Sequence, residues 1–301
     1  MNDPEFWHVR EASRVWGRPW QQLLELHDAL PSKSWTLVGG LMVRIHAEHA
    51  GVHDSRTTRD VDAVLHLETG VITYPPAVHR LEQLGYEHQE PVGDGPTHRL
   101  SRGNEHVDLM VADHLAPAMR PRFRRWPVMA VPGASNTLRY HTVDCVIRRE
   151  KDTDHRVVFS LPDTLGALSL KGGAYLNDNR DQQRHLEDGA VLLATVDDPR
   201  ELRNRMQGRD AKRIRALIKG IRDKRIARLF PLDQARHIEQ VGEDLARGRI
   251  ASAADRWKKP SPVPSTWHTG GHPTSSAGLC GHPTTSGSPC RNPAGSCPHH
   301  R

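Results

Sequence analysis

The chain has 301 residues and a net charge of +6. That length allows one large or two modest domains with buried cores, and no apolar run approaches the roughly 20 residues that span a bilayer. The positive excess is modest, well short of a histone-like coat, so any contact with polyanions must come from local patches.

The first residues, Met1-Asn2-Asp3-Pro4-Glu5-Phe6-Trp7, are acidic and polar, unlike a secretory signal, and a cytoplasmic location is expected. Residues 1–34 read as a helical lead-in. Pro19 opens a helix through Leu30 that is expected to bury Leu23, Leu24 and Leu30, and Trp7, Trp16 and Trp20 read as core anchors.

Next comes Trp35-Thr36-Leu37-Val38-Gly39-Gly40, an apolar strand leaving through a glycine pair. Such a pair brings backbone N–H groups close to phosphate, backed by the positive end of the following helix. After a helix's length the chain reads Thr58-Arg59-Asp60-Val61-Asp62-Ala63-Val64. Val61, Ala63, Leu65 and Leu67 fall on one face of a strand, and Asp60, Asp62 and His66 on the other. Two carboxylates at i and i+2 point the same way and can share a divalent cation. Either motif alone is common in tight turns and solvated strand ends.

A third acid adds weight. His106-Val107-Asp108-Leu109-Met110-Val111 alternates in the same manner and follows a predicted hairpin turn at Arg102-Gly103-Asn104, flanked by Thr97–Leu100. If its strand neighbours that of Asp60 and Asp62, Asp108 completes a three-carboxylate cluster. Like charges so close repel unless a cation neutralises them, and oxygen ligands suit Mg²⁺.

Gly39-Gly40, Asp60-x-Asp62 and Asp108 resemble the glycine pair, paired acids and third acid of the polymerase-β-like nucleotidyltransferases, most closely the AbiEii family of toxins from type IV toxin–antitoxin systems. A later block adds to the resemblance. Pro162 to Tyr175 reads as a capped helix carrying Lys171, and Arg184-His185-Leu186-Glu187-Asp188 opens a second. The family places a lysine and then a basic-x-x-x-Asp pair in corresponding helices, so the likeness covers about residues 35–195. Gly172-Gly173 departs from it, putting poor helix formers where the family has better ones.

The resemblance implies an α+β fold with a nucleotidyltransferase core of mixed sheet and flanking helices over 35–160; periodicity adds a helical region over 161–255, and composition a disordered tail over 256–301. It also implies the reaction, Mg²⁺-dependent transfer of a nucleoside monophosphate from a nucleoside triphosphate to a hydroxyl. Asp60, Asp62 and Asp108 would hold Mg²⁺, with Asp108 orienting or deprotonating the acceptor. Gly39, Gly40, Thr58, Arg59 and Lys171 would bind the nucleotide, and Asp188 would position Lys171 or the acceptor. In that family the acceptor is often the 3′ end of tRNA, and a cognate antitoxin is a partner. A small molecule such as an aminoglycoside, or a protein hydroxyl, is an alternative acceptor. A non-catalytic RNA-binding role for the fold is another.

Between Arg200 and Arg228 lie twelve basic residues and only Glu201, Asp210 and Asp223 as acids. Ile214, Leu217, Ile218 and Ile221 recur at helical spacing, so one face packs and the rest stays cationic. The run reads equally as a solvated amphipathic helix or as a phosphate-backbone footprint for RNA. Arg120 to Trp126 mixes cations with aromatics and reads first as a basic surface loop. Apolar stretches near Val128–Val131, Val143–Ile147 and Val157–Phe159 are predicted strands. Cys145 should be a buried spectator. His46 and His49 are expected at the surface or just outside the site. None of the histidines sits beside Ser or Cys in a nucleophile-like context, so a covalent hydrolase is not expected.

Beyond Asp255 the chain has no acid and is dominated by Pro, Gly, Ser, Thr and His. Cys280, Cys290, Cys297 and His300, with His282 and His299 as spare imidazoles, are either a closed tetrahedral zinc set or part of a low-complexity terminus. The spacing is that of no standard finger.

Overall fold

The computed structural model describes residues 6–9, 18–52, 58–148 and 156–247, all within one compact unit that extends to Lys259. The elements run β1 (Trp7–Val9), α1 (Trp20–Ala29), β2 (Trp35–Val38), α2 (Gly39–Ala50), β3 (Asp60–Leu65), α3 (Tyr74–Glu82), β4 (Glu87–His88), β5 (Arg99–Arg102) and β6 (Glu105–Ala112). Then come β7 (Arg122–Phe123), β8 (Trp126–Pro127), β9 (Ala130–Val131), α4 (Ala134–Tyr140), β10 (Thr142–Arg148) and β11 (Arg156–Pro162). Five helices close the described chain: α5 (Thr164–Asn177), α6 (Gln182–Ala194), α7 (Pro199–Arg205), α8 (Asp210–Asp223) and α9 (Leu232–Arg247).

The fold is α+β around one mixed sheet in the order β1-β10-β11-β2-β3-β6-β5-β4, with β9 paired to the far end of β6. β3 and β6 run parallel, in register Asp60↔His106 and Asp62↔Asp108. β2 runs antiparallel to β3, placing Val38 beside Asp62. The hairpin predicted at Gly103-Asn104 joins β5 to β6 with Arg102 opposite Glu105. Central β2 is buried along its whole length, which is why it reads as a continuous apolar run and not as an alternation.

Trp20, Trp35, Tyr74, Tyr86 and Phe159 anchor the main core, Trp35 and Phe159 stacking with ring centroids 6.2 Å apart. A smaller cluster of Val38, Val64, Ala112, Ala134 and Leu170 lies on the face that carries Asp62. Val38, Val64 and Leu170 each contribute about 1.5–3 kcal/mol by leaving water, so the acid-bearing row rests on an apolar floor.

α5 begins as predicted. Asp163 caps it, its side chain accepting from the Gly166 N–H at 2.9 Å. The glycine pair within α5 has a packing cause: a Cβ on Gly172 would meet the Arg213 carbonyl oxygen at 2.4 Å, and one on Gly173 the Pro132 carbonyl oxygen at 2.7 Å. Closeness to α8 and to the Pro132 loop outweighs helix propensity there.

Several expectations are corrected. The lead-in is not wholly helical, because Trp7–Val9 forms β1 and pairs parallel with β10. Two hydrophobic positions cannot reveal an edge strand whose partner lies more than 130 residues away. In α1, Leu26 takes the buried place assigned to Leu24, which is half-buried at the rim. The basic run is not one helix: it breaks between α7 and α8, with Asp198 capping α7 and a 3₁₀ turn at Ile226–Leu229 after α8. Ile214, Leu217, Ile218 and Ile221 are buried as read. Among the described residues, no helix is long and apolar enough to cross a membrane.

Candidate active site

β2 ends where α2 begins, and Gly39 makes the turn with φ +72°. A side chain is excluded there twice over. The left-handed backbone disfavours one, and a Cβ would stand 1.8 Å from Asp62 Oδ2. The Asp62 carboxylate therefore lies directly against the start of α2. At Gly40 a Cβ would meet Thr58 Oγ1 at 2.8 Å and an Arg184 guanidinium nitrogen at 3.3 Å. Thr58 is buried, and its hydroxyl has no partner among the described residues. Val38 caps α2 without a side-chain hydrogen bond, so the first-turn amides, the Thr58 hydroxyl and the Arg184 guanidinium converge on one corner. Donors with positive potential at a helix start suit an anion.

A cavity of about 580 Å³ opens over this corner. Gly39, Gly40, Asp60, Asp62, Asp108, Lys171 and Asp188 all line it, although they come from five separate stretches of chain. Thr58 sits beneath Gly40, and Arg59 is exposed, outside the lining. Lys171 and Asp188 form a buried ion pair at 2.7 Å. They face each other from α5 and α6, which close the cavity opposite the sheet.

The three acids are not equivalent. Burial first, and then the Asp108 charge, push Asp62 from an ordinary carboxylate value up to about 7, with Lys171 and Arg184 acting the other way. Asp108 is instead gripped by Arg99, whose Nε and Nη2 donate to Oδ1 and Oδ2 at 2.8 and 2.7 Å. The same guanidinium lies 3.8 Å from Asp60. Hydrogen bonding to Asp108 holds Arg99 above its usual range, fixing it as a cation. Among the described residues, no three His, Cys, Asp or Glu side chains gather as a preformed metal site.

Arg99, His98 and the α5–α6 turn are not assigned to the site by the sequence, and Arg184 enters there only as the basic member of the pair with Asp188, without a role of its own. Arg99 had a signal: counting back from the Gly103-Asn104 turn puts it opposite Asp108. The turn from Asn177 to Asp181 had none, and it supplies Asn177, Asp178, Asn179, Arg180 and Asp181 to the cavity rim.

Other expectations resolve away from the cavity. His46 is buried, not at the surface; its Nε2 donates to the Pro162 carbonyl at 2.8 Å, and burial pushes its pKa down to about 4. Trp7 stacks on His49 at 4.0 Å and meets His46 edge-on, tying β1 to α2. His66 does lie beside hydroxyls, a proximity the sequence conceals: Thr36 Oγ1 is 2.8 Å from both His66 Nε2 and Ser160 Oγ. Thr36 is fully buried between them.

Cys145 is buried, as expected. The Arg120–Trp126 patch forms the β7–β8 hairpin, with Arg124 and Arg125 over the rings of Phe123 and Trp126. No residue of the basic run from 200 to 228 lines the cavity. Cys280, Cys290, Cys297, His300, His282 and His299 lie outside the described residues. Compared with known proteins, the chain matches no family model, no curated protein and no solved structure.

Proposed function

We propose that the chain is a nucleotidyltransferase with a polymerase-β-like core, moving a nucleoside monophosphate from a nucleoside triphosphate to a hydroxyl acceptor. One observation carries the reading: the glycine turn, the Asp60–Asp62 pair, Asp108 and the Lys171–Asp188 pair share one cavity. A structural role alone would not favour three carboxylates on neighbouring strands, one of them with its pKa pushed up to about 7.

The donor set suits Mg²⁺ at Asp60 and Asp62: both offer oxygens on one face, and Asp62 carries charge its surroundings leave poorly neutralised. Bound there, Mg²⁺ would offset charge developing on the α-phosphate and the departing pyrophosphate. The Gly39-Gly40 amides, Thr58 and Arg184 receive phosphate oxygens at the start of α2. Lys171, oriented by Asp188, adds a point charge from the opposite wall.

A carboxylate offers about four lone-pair sites. Arg99 uses one on each oxygen of Asp108, and the others are left to accept from the acceptor hydroxyl and orient it. That hydroxyl forms the new P–O bond as the bond to pyrophosphate breaks. With both of its oxygens held by Arg99, Asp108 is fixed in place, so orientation is its larger contribution.

RNA is the acceptor class we favour, as a toxin acting on the tRNA 3′ end in the cytoplasm. The support is the resemblance together with the exposed cations of α7, α8 and the β7–β8 hairpin. On this reading a cognate antitoxin is the protein partner. The test is incubation with each α-labelled nucleoside triphosphate and Mg²⁺ in the presence of total RNA, aminoglycosides or protein. Label in RNA, lost in Asp60→Ala and Asp62→Ala, supports the proposal. Label only in drug or protein overturns the RNA acceptor, and label nowhere overturns the activity.

A further inference from the structure

Asp108 is the acid that the strand register brings next to Asp62, yet its oxygens do not face that neighbour alone. Arg99, opposite Asp108 on β5, donates to both of them in a two-pronged pair at 2.8 and 2.7 Å and reaches toward Asp60 at 3.8 Å. His98 Nε2 lies 3.8 Å from the same Asp108 oxygen. The Arg99 side chain is 40% exposed and lines the cavity, while the Asp108 side chain is 7% exposed. A monovalent, planar cation thus stands among the carboxylates where a divalent ion would need their lone pairs.

From this we infer that Arg99 is a built-in counter-cation of the acid cluster, competing with a divalent metal for Asp108, so that the protein without nucleotide binds metal weakly. This inference rests on the nucleotidyltransferase reading above and concerns how that site is loaded. Three carboxylates on adjacent strands need positive charge to stay folded at close range. Arg99 supplies it permanently and in a geometry matched to a carboxylate. A metal arriving alone must displace or repel that guanidinium. A metal arriving on a triphosphate brings its own oxygen ligands and needs only Asp60 and Asp62. The incoming phosphates also give Arg99 a second anion to engage. The resting site therefore takes free metal weakly and the metal–nucleotide complex more readily. Arg99 is a positioning residue on this account: it acts through Asp108.

The experiment measures Mn²⁺ binding to the full-length protein without nucleotide, by the loss of the free-ion electron paramagnetic resonance signal. It compares the wild type with Arg99→Met, Arg99→Lys, and Arg99→Met combined with Asp108→Asn. Thermal melting of each variant establishes that it is folded, and Arg99→Lys keeps a cation in place should Arg99→Met fail to fold. Arg99→Met should bind Mn²⁺ about tenfold or more tighter than the wild type, since a like charge has left the site. Arg99→Lys should fall between, having the charge but not the two-pronged grip, and Asp108→Asn should cancel the gain.

Equal affinity in wild type, Arg99→Met and Arg99→Lys would overturn the inference, and if the wild type still transfers nucleotide, the nucleotidyltransferase reading survives. Absence of Mn²⁺ binding in every variant, with or without a nucleoside triphosphate, would overturn both.

Discussion

The Asp62 carboxylate and the backbone of Gly39 are in contact so close that a single added methyl would stand 1.8 Å from Oδ2. The first acid-bearing strand and the glycine turn are thereby one rigid unit, and the spacing between acid and helix start is set by the absence of a side chain. Gly39→Ala must pay for the left-handed backbone, about 1 kcal/mol or more, and then displace Asp62. We expect a loss of at least about 2 kcal/mol in urea unfolding, together with loss of nucleotide transfer. Gly51→Ala, also at positive φ but facing open space, should show the backbone cost and retain transfer.

Asp62 and His46 act on stability with opposite sign in the same pH window. The Asp62 pKa is raised to about 7, so its contribution is full below pH 4 and is lost as pH rises toward 7. The His46 pKa is lowered to about 4, so its contribution is full above pH 6.5 and is lost as pH falls toward 4. The shifts correspond to at most about 4 kcal/mol for Asp62 and about 3 kcal/mol for His46. Metal-free wild type should therefore vary little between pH 4 and 7 through these two groups. Asp62→Asn should lose stability on acidification, and His46→Gln should lose it as pH rises. Thermal melts across that range check both slopes.

Gly172→Ala tests propensity against packing. Alanine in a helix interior gains up to about 1 kcal/mol over glycine. Its Cβ at this position would meet the Arg213 backbone oxygen at 2.4 Å, and backbone yields less than a side chain. Packing should prevail, with a net loss of about 1–3 kcal/mol in chemical unfolding. A stabilised variant would show that α8 slides freely along α5.

The Lys171–Asp188 pair separates stability from chemistry. Removing the cation from a fully buried carboxylate costs roughly 3–5 kcal/mol. Lys171→Met should therefore be strongly destabilised, and Lys171→Met with Asp188→Leu should recover much of that loss. Transfer should stay absent in the double variant, because no point charge faces the phosphates from α5. Recovery of activity with stability would assign the pair to folding alone.

Much of the cavity was legible because its parts sit on regular strands and helices. Alternation around Asp60, Asp62 and Asp108 follows from period two, and the Asp163 cap announces the helix that carries Lys171. Arg99 is legible in principle from the hairpin count, but a lone arginine on a short strand carries no motif to mark it. The burial of His46, expected at the surface or just outside the site, is not legible because its partner, the Pro162 carbonyl, is remote in sequence and belongs to the backbone. β1 was hidden for the same reason, its register being set by β10. What local periodicity misses is pairing across long sequence separations, together with polar contacts to main chain.

The central claim is transfer of the α-phosphoryl nucleotide unit by the Asp60–Asp62 site. Its most direct measurement compares one nucleoside triphosphate labelled at the α-phosphate with the same compound labelled at the γ-phosphate, using wild type and Asp62→Ala in Mg²⁺. Acceptor labelling should come from the α-label only, with the γ-label released as pyrophosphate, and neither should occur with Asp62→Ala. Acceptor labelling from the γ-phosphate, or α-transfer that persists in Asp62→Ala, would contradict it.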